Sequence, residues 1–509
     1  MTHEAVLFHD VAYAYESMST VLLEHVDLHL PSGWTGIVGP NGAGKTTLLK
    51  LAIGDFAPKS GRIEHPERVV YCAQRTDSPP PALPGLLAAD DGSAWELKGR
   101  LGLEWDWLER WHTLSHGERK RAQIASALWL EPQVLAVDEP TNHIDVDARQ
   151  MLVGALRAYR GVGLLVSHDR ALLDGLCRQC VFVDPPGAEL RPGGYSQGNE
   201  QGLREEEETR RLAVQVKKEH ERLRRETIRR RDEAARSDKR VSKRGLGKDN
   251  AERGKRNLAR VTGRDAVSGK LLRQLDGRLQ QSEDRVAQVQ VKKQYELGIW
   301  MPNGRSKRDV LLRAEAGGLT LGHDRQLHFP ELVLKPDARV ALQGINGGGK
   351  STLLKHLLPQ FNVPEERLVY MPQEIAVDES AQILDAARAL PRDELGRMMT
   401  VVSRLGSRPT RLLESAEPSP GEIRKVLLAA GIARVPHLIV LDEPTNHLDL
   451  PSIECLEEAL LGCPCALLLI SHDASFLQKL TQTRWQIEPV QESNVMRLKV
   501  SLDWGANVT

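Results

Sequence analysis

Gly39-Pro-Asn-Gly-Ala-Gly-Lys-Thr46 returns 305 residues later as Gly344-Ile-Asn-Gly-Gly-Gly-Lys-Ser351. Each copy is followed, 93 and 92 residues after its lysine, by an Asp-Glu pair behind an apolar run: Val134 to Val137 before Asp138-Glu139, and Leu438 to Leu441 before Asp442-Glu443. The strings around these pairs, Val137-Asp-Glu-Pro-Thr-Asn-His-Ile-Asp145 and Leu441-Asp-Glu-Pro-Thr-Asn-His-Leu-Asp449, are near duplicates, as are Ser167-His-Asp169 and Ser471-His-Asp473. The chain therefore holds one domain twice. Short runs rich in Val, Leu and Ile, including Gly163 to Val166 and Ala466 to Ile470, suit strands buried on both faces of a mainly parallel sheet, so the fold class is α/β.

A glycine-rich turn opening a helix presents several backbone N–H groups to one point, where the helix N-terminus adds positive potential. Gly39, Asn41, Gly42, Gly44, Lys45, Thr46 and Thr47, with Gly344, Asn346, Gly347, Gly349, Lys350, Ser351 and Thr352, are candidate phosphate-binding residues. The lysines reach the β- and γ-phosphates and the hydroxyls of Thr46 and Ser351 ligate Mg²⁺. Asp138 and Asp442 are expected to hold the metal's hydration shell, and Glu139 and Glu443 to polarise the attacking water. Two solvated loop carboxylates would not follow four apolar residues in both copies.

Together these motifs resemble the ATP-binding cassette superfamily, over nearly all of residues 4–197 and 310–490. The resemblance implies an ATP hydrolase that uses Mg²⁺ and closes two ATP molecules between its domains. It matches Gln74 and Gln373 to the glutamine that senses the metal and the attacking water, and His168 and His472 to the switch histidine. It matches Ser115 and Gly117 in Leu114-Ser-His-Gly-Glu118, and Ser419 and Gly421 in Pro418-Ser-Pro-Gly-Glu422, to the signature that grips the opposite γ-phosphate. Asp145 and Asp449 correspond to the aspartate that contacts across the dimer, and Tyr15 to the adenine-stacking aromatic. Two departures stand out. Pro420 removes one N–H from the second signature, and the second domain offers only His323 near the adenine position.

The connector differs in composition. Residues 1–197 and 310–509 are read as the two cassettes and 198–309 as a linker. Gln201 to Arg240 contains no Pro, one Gly and many Glu and Arg, which predicts a long solvated helix. From Ser268 onward Leu272, Leu279 and Val286 fall seven apart, as do Leu275, Ser282 and Val289, a seam broken by one serine. An antiparallel hairpin is expected, with Arg236 to Arg264 as a basic loop at its tip. Residues 221–280 carry 20 Lys and Arg against 9 Asp and Glu, although the whole chain is neutral.

No run of eighteen apolar residues occurs, and Met-Thr-His-Glu-Ala does not open a secretory signal, so the expected location is the cytoplasm. Six scattered cysteines are too few for a disulfide framework, and Cys177 and Cys180, a lone CxxC, read as free thiols. Trp105, Trp107 and Trp111 read as packing of a small helical subdomain.

Tandem cassettes joined by a charged helical hairpin, with twin Asp-Glu-Pro-Thr-Asn-His strings, resemble the F subfamily of ribosome-associated factors. The iron–sulfur recycling factor, the excinuclease type and the chromosome-condensing type lack counterparts here to their cysteine cluster, zinc pairs or split cassette. In the subfamily the linker enters the ribosomal exit site toward peptidyl tRNA and the peptidyl-transferase region. That implies the ribosome, through ribosomal RNA and peptidyl tRNA, as partner, with Lys239, Arg240, Lys243 and Arg244 as candidate RNA-binding residues. The expected molecule is a monomer whose two domains pair. Gln74 and Ser115 are only 41 positions apart, which leaves little room for the arm some members insert there, so an armless member is expected. Such members include antibiotic target-protection factors as well as translation factors, and the residues leave both open. The alternative is a non-ribosomal regulatory or assembly ATPase, or the ATP-binding component of a transport system with a separate membrane partner.

Overall fold

The computed structural model describes residues 5–16, 21–141, 144, 146–241, 264–288, 304–322, 325–345, 347–373, 375, 377–405, 420–446, 448–490 and 494–502. Two compact units emerge: residues 1–198 with 295–509, and residues 199–294.

In the first cassette six strands run in the order Val69–Cys72, Val134–Asp138, Val162–Val166, Gly33–Val38, Cys177–Asp184, Gly187–Pro192. All neighbours are parallel except the last pair. The second cassette repeats this centre as Leu368–Met371, Leu438–Asp442, Ala466–Ile470, Arg339–Gly344, Thr483–Pro489. The two differ at the edge. Ala5–Tyr13 with Leu23–Pro31 and Ser60–Glu64 forms a separate antiparallel sheet in the first cassette, whereas Gly317–Leu321 and Arg325–Phe329 join the main sheet of the second.

Alternation along the central strands divides each core in two. Leu135, Val137 and Leu165 pack in one cluster with the helices, while Val134, Ala136, Val162, Leu164 and Val166 pack in the other. Ile439, Leu441, Leu467 and Leu469 face one side of the second sheet, and Leu438, Val440, Ala466, Leu468 and Ile470 the opposite one. The apolar runs read as doubly buried strands are therefore just that.

Trp107 and Trp111 are buried with Leu83, Leu114 and Ala122, as subdomain packing requires. Trp105 corrects that reading for itself, since it is 81% exposed. Cys177 and Cys180 are buried free thiols, but Cys463 and Cys465 pair as a disulfide that the cysteine count does not anticipate.

The linker helix Tyr195–Val241 is 47 residues long. At 1.5 Å per residue that is roughly 70 Å. It starts before Gln201 and runs past Arg236, so Arg236 to Val241 is helix and not loop; the first residue to disfavour a helix, Gly245, comes later in the sequence. Exposed i,i+4 pairs such as Glu200–Arg204 and Glu207–Arg211 support it by a few tenths of a kcal/mol each.

The return helix, Arg264–Gln288, packs alongside within that unit. Leu275 and Thr227 are buried between the two, and Leu279 and Val286 half-buried. Ser282 bonds His220 Nδ1 across the seam at 2.9 Å and donates to Leu279 O, so the serine is satisfied where it interrupts the apolar row. The side chains of Leu272 and Val289 lie outside the described residues. Among the described residues no helix is long and apolar enough to cross a membrane.

Exposure separates the neighbouring tryptophans energetically. Trp107→Ala should lower unfolding free energy by about 3–5 kcal/mol, and Trp105→Ala should stay within about 0.5 kcal/mol of the parent, both measured by urea denaturation of the first cassette's transition.

Candidate functional site

Helix Lys45–Ala52 begins at Gly44 and helix Lys350–Leu357 at Gly349, each glycine at φ above +90°. Only glycine takes that conformation without strain, and it leaves the first N–H groups of the helix uncovered by any capping side chain. Gly39 is required for another reason: a Cβ there would lie 2.4 Å from the carbonyl oxygen of Val183. Lys45 folds back to donate to the carbonyls of Gly39 and Pro40 at 2.9 and 3.0 Å, and Lys350 to those of Gly344 and Ile345 at 2.8 and 3.1 Å. Burial holds both ammonium groups below the ordinary lysine value.

Thr46 Oγ1 donates to Asp138 Oδ2 at 2.9 Å, and Ser351 Oγ to Asp442 Oδ2 at 3.1 Å. Tyr71 adds a second bond to Asp138 at 3.2 Å. Burial raises both aspartates, opposed by these hydrogen bonds. A hydroxyl beside one carboxylate is the protein share of a Mg²⁺ site that phosphate oxygens and waters complete. No group of three or more His, Cys, Asp or Glu suited to a metal occurs among the described residues.

Glu139 and Glu443 sit one residue beyond, 5% and 3% exposed, at φ +45° and +49°. A non-glycine residue there carries about 1–3 kcal/mol of strain. It is sustained by bonds from Glu139 N to Val166 O and from Glu443 N to Ile470 O, both 2.8 Å. One carboxylate oxygen of each accepts a histidine backbone N–H, that of His168 at 3.3 Å and of His472 at 3.2 Å. The other oxygen lies 3.2 and 3.4 Å from the ring Nε2 without a well-aligned hydrogen bond. Burial pushes Glu139 up to about 8, helped by Asp138, and Glu443 up to about 7. Burial and Lys45 hold His168 down at about 3, so its ring is neutral.

Tyr15 is half-buried, with its hydroxyl 2.6 Å from Thr47 Oγ1 and its ring edge-on to Tyr13 and Phe56. Gln74 and Gln373 are exposed on the loops after strands Val69–Cys72 and Leu368–Met371.

The cassettes meet at the first glycine-rich loop. Asn41 N donates to Asp449 Oδ2 at 2.6 Å, while Asp449 Oδ1 caps helix Leu450–Leu461 through Ser452 N. Leu450 is buried in the first cassette's core, and the same helix sends Glu454 to Tyr195 and Glu457 to Arg170, at 2.8 and 2.7 Å. Glu457 is fully buried and also accepts Lys479 at 2.8 Å.

A cavity of about 880 Å³ is lined by Gly347, Gly349, Lys350, Ser351, Thr352, Gln373, Asp442, Glu443 and His472 of the second cassette together with Thr141 and Ile144 of the first. Ser115 and Gly117 are not in its wall. Ile144 is, and a Cβ on Gly117 would meet it at 3.7 Å. Ser115 caps helix His116–Trp129 reciprocally with Glu118. Pro420 opens helix Pro420–Ala433, where a missing N–H breaks no helical bond, and Gly421 is buried behind it. Asn346, Ser419, Asp145, His323, Lys243 and Arg244 lie outside the described residues; Lys239 and Arg240 are helical, with side chains likewise outside.

Sequence reasoning misses four residues. Arg325 and Asn494 line the cavity, and no local motif marks them. Lys120 and Arg424 are buried cations beneath the glutamine loops; their one sequence signal is that they stand 304 residues apart, in step with the duplication. Burial lowers Lys120 to about 8.

Residues 23–142 and 327–446 each match the ABC transporter family model. The ribosome protection protein VmlR of Bacillus subtilis is 27% identical over 92% of this chain and 85% of its own length. The ATP-binding protein Uup of Caulobacter vibrioides is 31% identical over 91% and 74%, and the tylosin resistance ATP-binding protein TlrC of Streptomyces fradiae 28% over 94% and 96%. An archaeal ribosome recycling factor, solved with a ribosomal stalk protein, shares the fold with a TM-score of 0.61 at 20% identity, covering 96% of this chain and 89% of that one. With its cassette present twice and relatives of this kind matching over more than 90% of its length, the chain belongs to the ATP-binding cassette superfamily and, within it, to the F subfamily.

Proposed function

We propose that this chain is a Mg²⁺-dependent ATP hydrolase that closes on two ATP molecules and acts on the ribosome, as a translation factor or an antibiotic target-protection factor. The observation that carries the ATPase reading is the paired arrangement at the strand ends: hydroxyl on aspartate, glutamate one residue on, histidine N–H on the glutamate, in both copies. Lys45 and Lys350 would exchange their loop carbonyls for β- and γ-phosphate oxygens. Thr46 with Asp138, and Ser351 with Asp442, would hold Mg²⁺, with Gln74 and Gln373 on its open side. Bound there, the metal neutralises charge on the phosphates.

Glu139 and Glu443 would orient water, and a neutral His168 would accept or donate at the same point. Each nucleotide would be completed by the opposite signature: Lys45 with Ser419 and Gly421, Lys350 with Ser115 and Gly117. Pro420 leaves the first of these sites one donor poorer. In an ATP hydrolysis assay, Glu139→Gln with Glu443→Gln should cut turnover by well over tenfold while ATP stays bound, and Glu443→Gln alone should cost more than Glu139→Gln. Ordinary turnover in the double variant contradicts the assignment.

The ribosomal reading is supported by a helix of roughly 70 Å leading to a basic segment, and by relatives named for ribosome protection and tylosin resistance. Lysine and arginine displace counterions from phosphate whatever the base sequence, which suits a probe of ribosomal RNA or tRNA. The double Gln variant should pellet with ribosomes in ATP. Replacing Lys239, Arg240, Lys243 and Arg244 by Ala should weaken pelleting and flatten its salt dependence, by about one in log–log slope for each phosphate no longer neutralised. Failure of the unaltered trap to pellet favours a non-ribosomal ATPase.

A further inference from the structure

Lys120 and Arg424 are 0% and 3% exposed, in a protein whose other cations are mostly solvated. Each lies five residues beyond its signature serine, on helices His116–Trp129 and Pro420–Ala433. Lys120 Nζ donates to the carbonyls of Ala73 at 2.7 Å, Gln74 at 3.3 Å and Asp138 at 3.4 Å. The Arg424 guanidinium donates to the carbonyls of Gln373, of Glu443 at 2.8 Å and of Asn446 at 3.4 Å. In both copies one cation thus joins three segments: the glutamine loop, the strand end bearing the Asp-Glu pair, and the helix that opens with the signature.

Burying a charge costs several kcal/mol, and packing alone would be served by a leucine or methionine of similar volume. A cation at this position supplies several strong donors to carbonyls at the strand end and in the glutamine loop. The chemical identity differs, Lys in one copy and Arg in the other, but the role of the contact does not.

We propose that Lys120 and Arg424 are positioning residues that clamp Gln74 and Gln373 against Asp138-Glu139 and Asp442-Glu443, and that couple the signature of one ATP site to the hydrolytic groups of the other. The inference rests on the ATP-site reading above. Five helical residues rise roughly 7.5 Å, so Ser115 and Lys120 move as one body. Ser115 belongs to the nucleotide of Lys350, whereas Lys120 holds the loop and strand serving the nucleotide of Lys45. Docking of the signature on one nucleotide therefore shifts the donor that aligns glutamine and glutamate at the second.

The test compares two double variants of the full chain, Lys120→Met with Arg424→Met and the exchange Lys120→Arg with Arg424→Lys. The Met pair should lose at least about tenfold in kcat, with KM and analogue affinity within about twofold, and should need more Mg²⁺ for half-maximal rate. The exchanged pair should stay within about threefold of the parent. Thermal melting checks folding; should the Met pair melt below the assay temperature, Lys120→Gln and Arg424→Gln singly, which keep neutral donors, must show the same kcat loss at unchanged KM. Equal loss in the Met and exchanged pairs, or an unaffected Met pair in a chain that turns over ATP, overturns the clamp. No turnover in the unaltered chain overturns the ATP-site reading itself.

Discussion

The hydrogen bond from Thr46 to Asp138, repeated from Ser351 to Asp442, sets a condition that the rest of each cassette must meet. The aspartate ends one strand and the hydroxyl sits in the helix that follows another, and these two strands are not neighbours. Gly33–Val38 and Val134–Asp138 are separated by Val162–Val166, and the bonded side chains are 92 positions apart in the chain. Only a parallel sheet whose strands end level brings a glycine-rich turn, an aspartate and a histidine loop to one edge, which is where open α/β sheets take their ligands. The register Asp138 against Val166, and Asp442 against Ile470, is that levelling made explicit. It also accounts for the left-handed glutamates, whose N–H groups turn back to the neighbouring strand while their side chains stay at the edge.

From this edge the two cassettes are tied together by one helix. Leu450–Leu461 is capped by Asp449, which holds the N–H of Asn41 in the other cassette's phosphate loop, and it carries Glu454 and Glu457 to Tyr195 and Arg170. Breaking a buried pair such as Arg170–Glu457 strands a charge, at a cost of about 3–5 kcal/mol, so the pair resists removal of one partner more than it adds net stability. Arg170 follows His168 by two residues, and Tyr195 begins the linker helix. Phosphate loop, histidine loop and linker root of the first cassette are thus all bonded to a single element of the second.

Local chemistry makes much of this legible in the residues themselves. Both ends of each hydroxyl–aspartate bond lie in strings that announce their conformation, and four consecutive apolar residues leave a strand little choice but to be buried on both faces. The F-subfamily assignment likewise rests on duplicated strings long enough to be specific. What stays hidden depends on packing between distant segments. A lysine or arginine in a helix ordinarily implies solvent, so nothing at Lys120 or Arg424 reveals that three carbonyls converge on it. Arg325 and Asn494 reach the cavity through strand register alone. Trp105 and Trp107 are two residues apart on an irregular segment without a period to separate the exposed one from the buried one. From Arg236 to Val241 the dense basic charge suggests a loop tip, yet helix propensity decides the conformation, because no glycine intervenes before Gly245.

The central claim is that each nucleotide is held by both cassettes. It is tested most directly by a structure of the full chain with a non-hydrolysable ATP analogue and Mg²⁺. One triphosphate should lie between Lys45 and Gly421, and the other between Lys350 and both Ser115 and Gly117. Two nucleotides that each touch only their own cassette would contradict it.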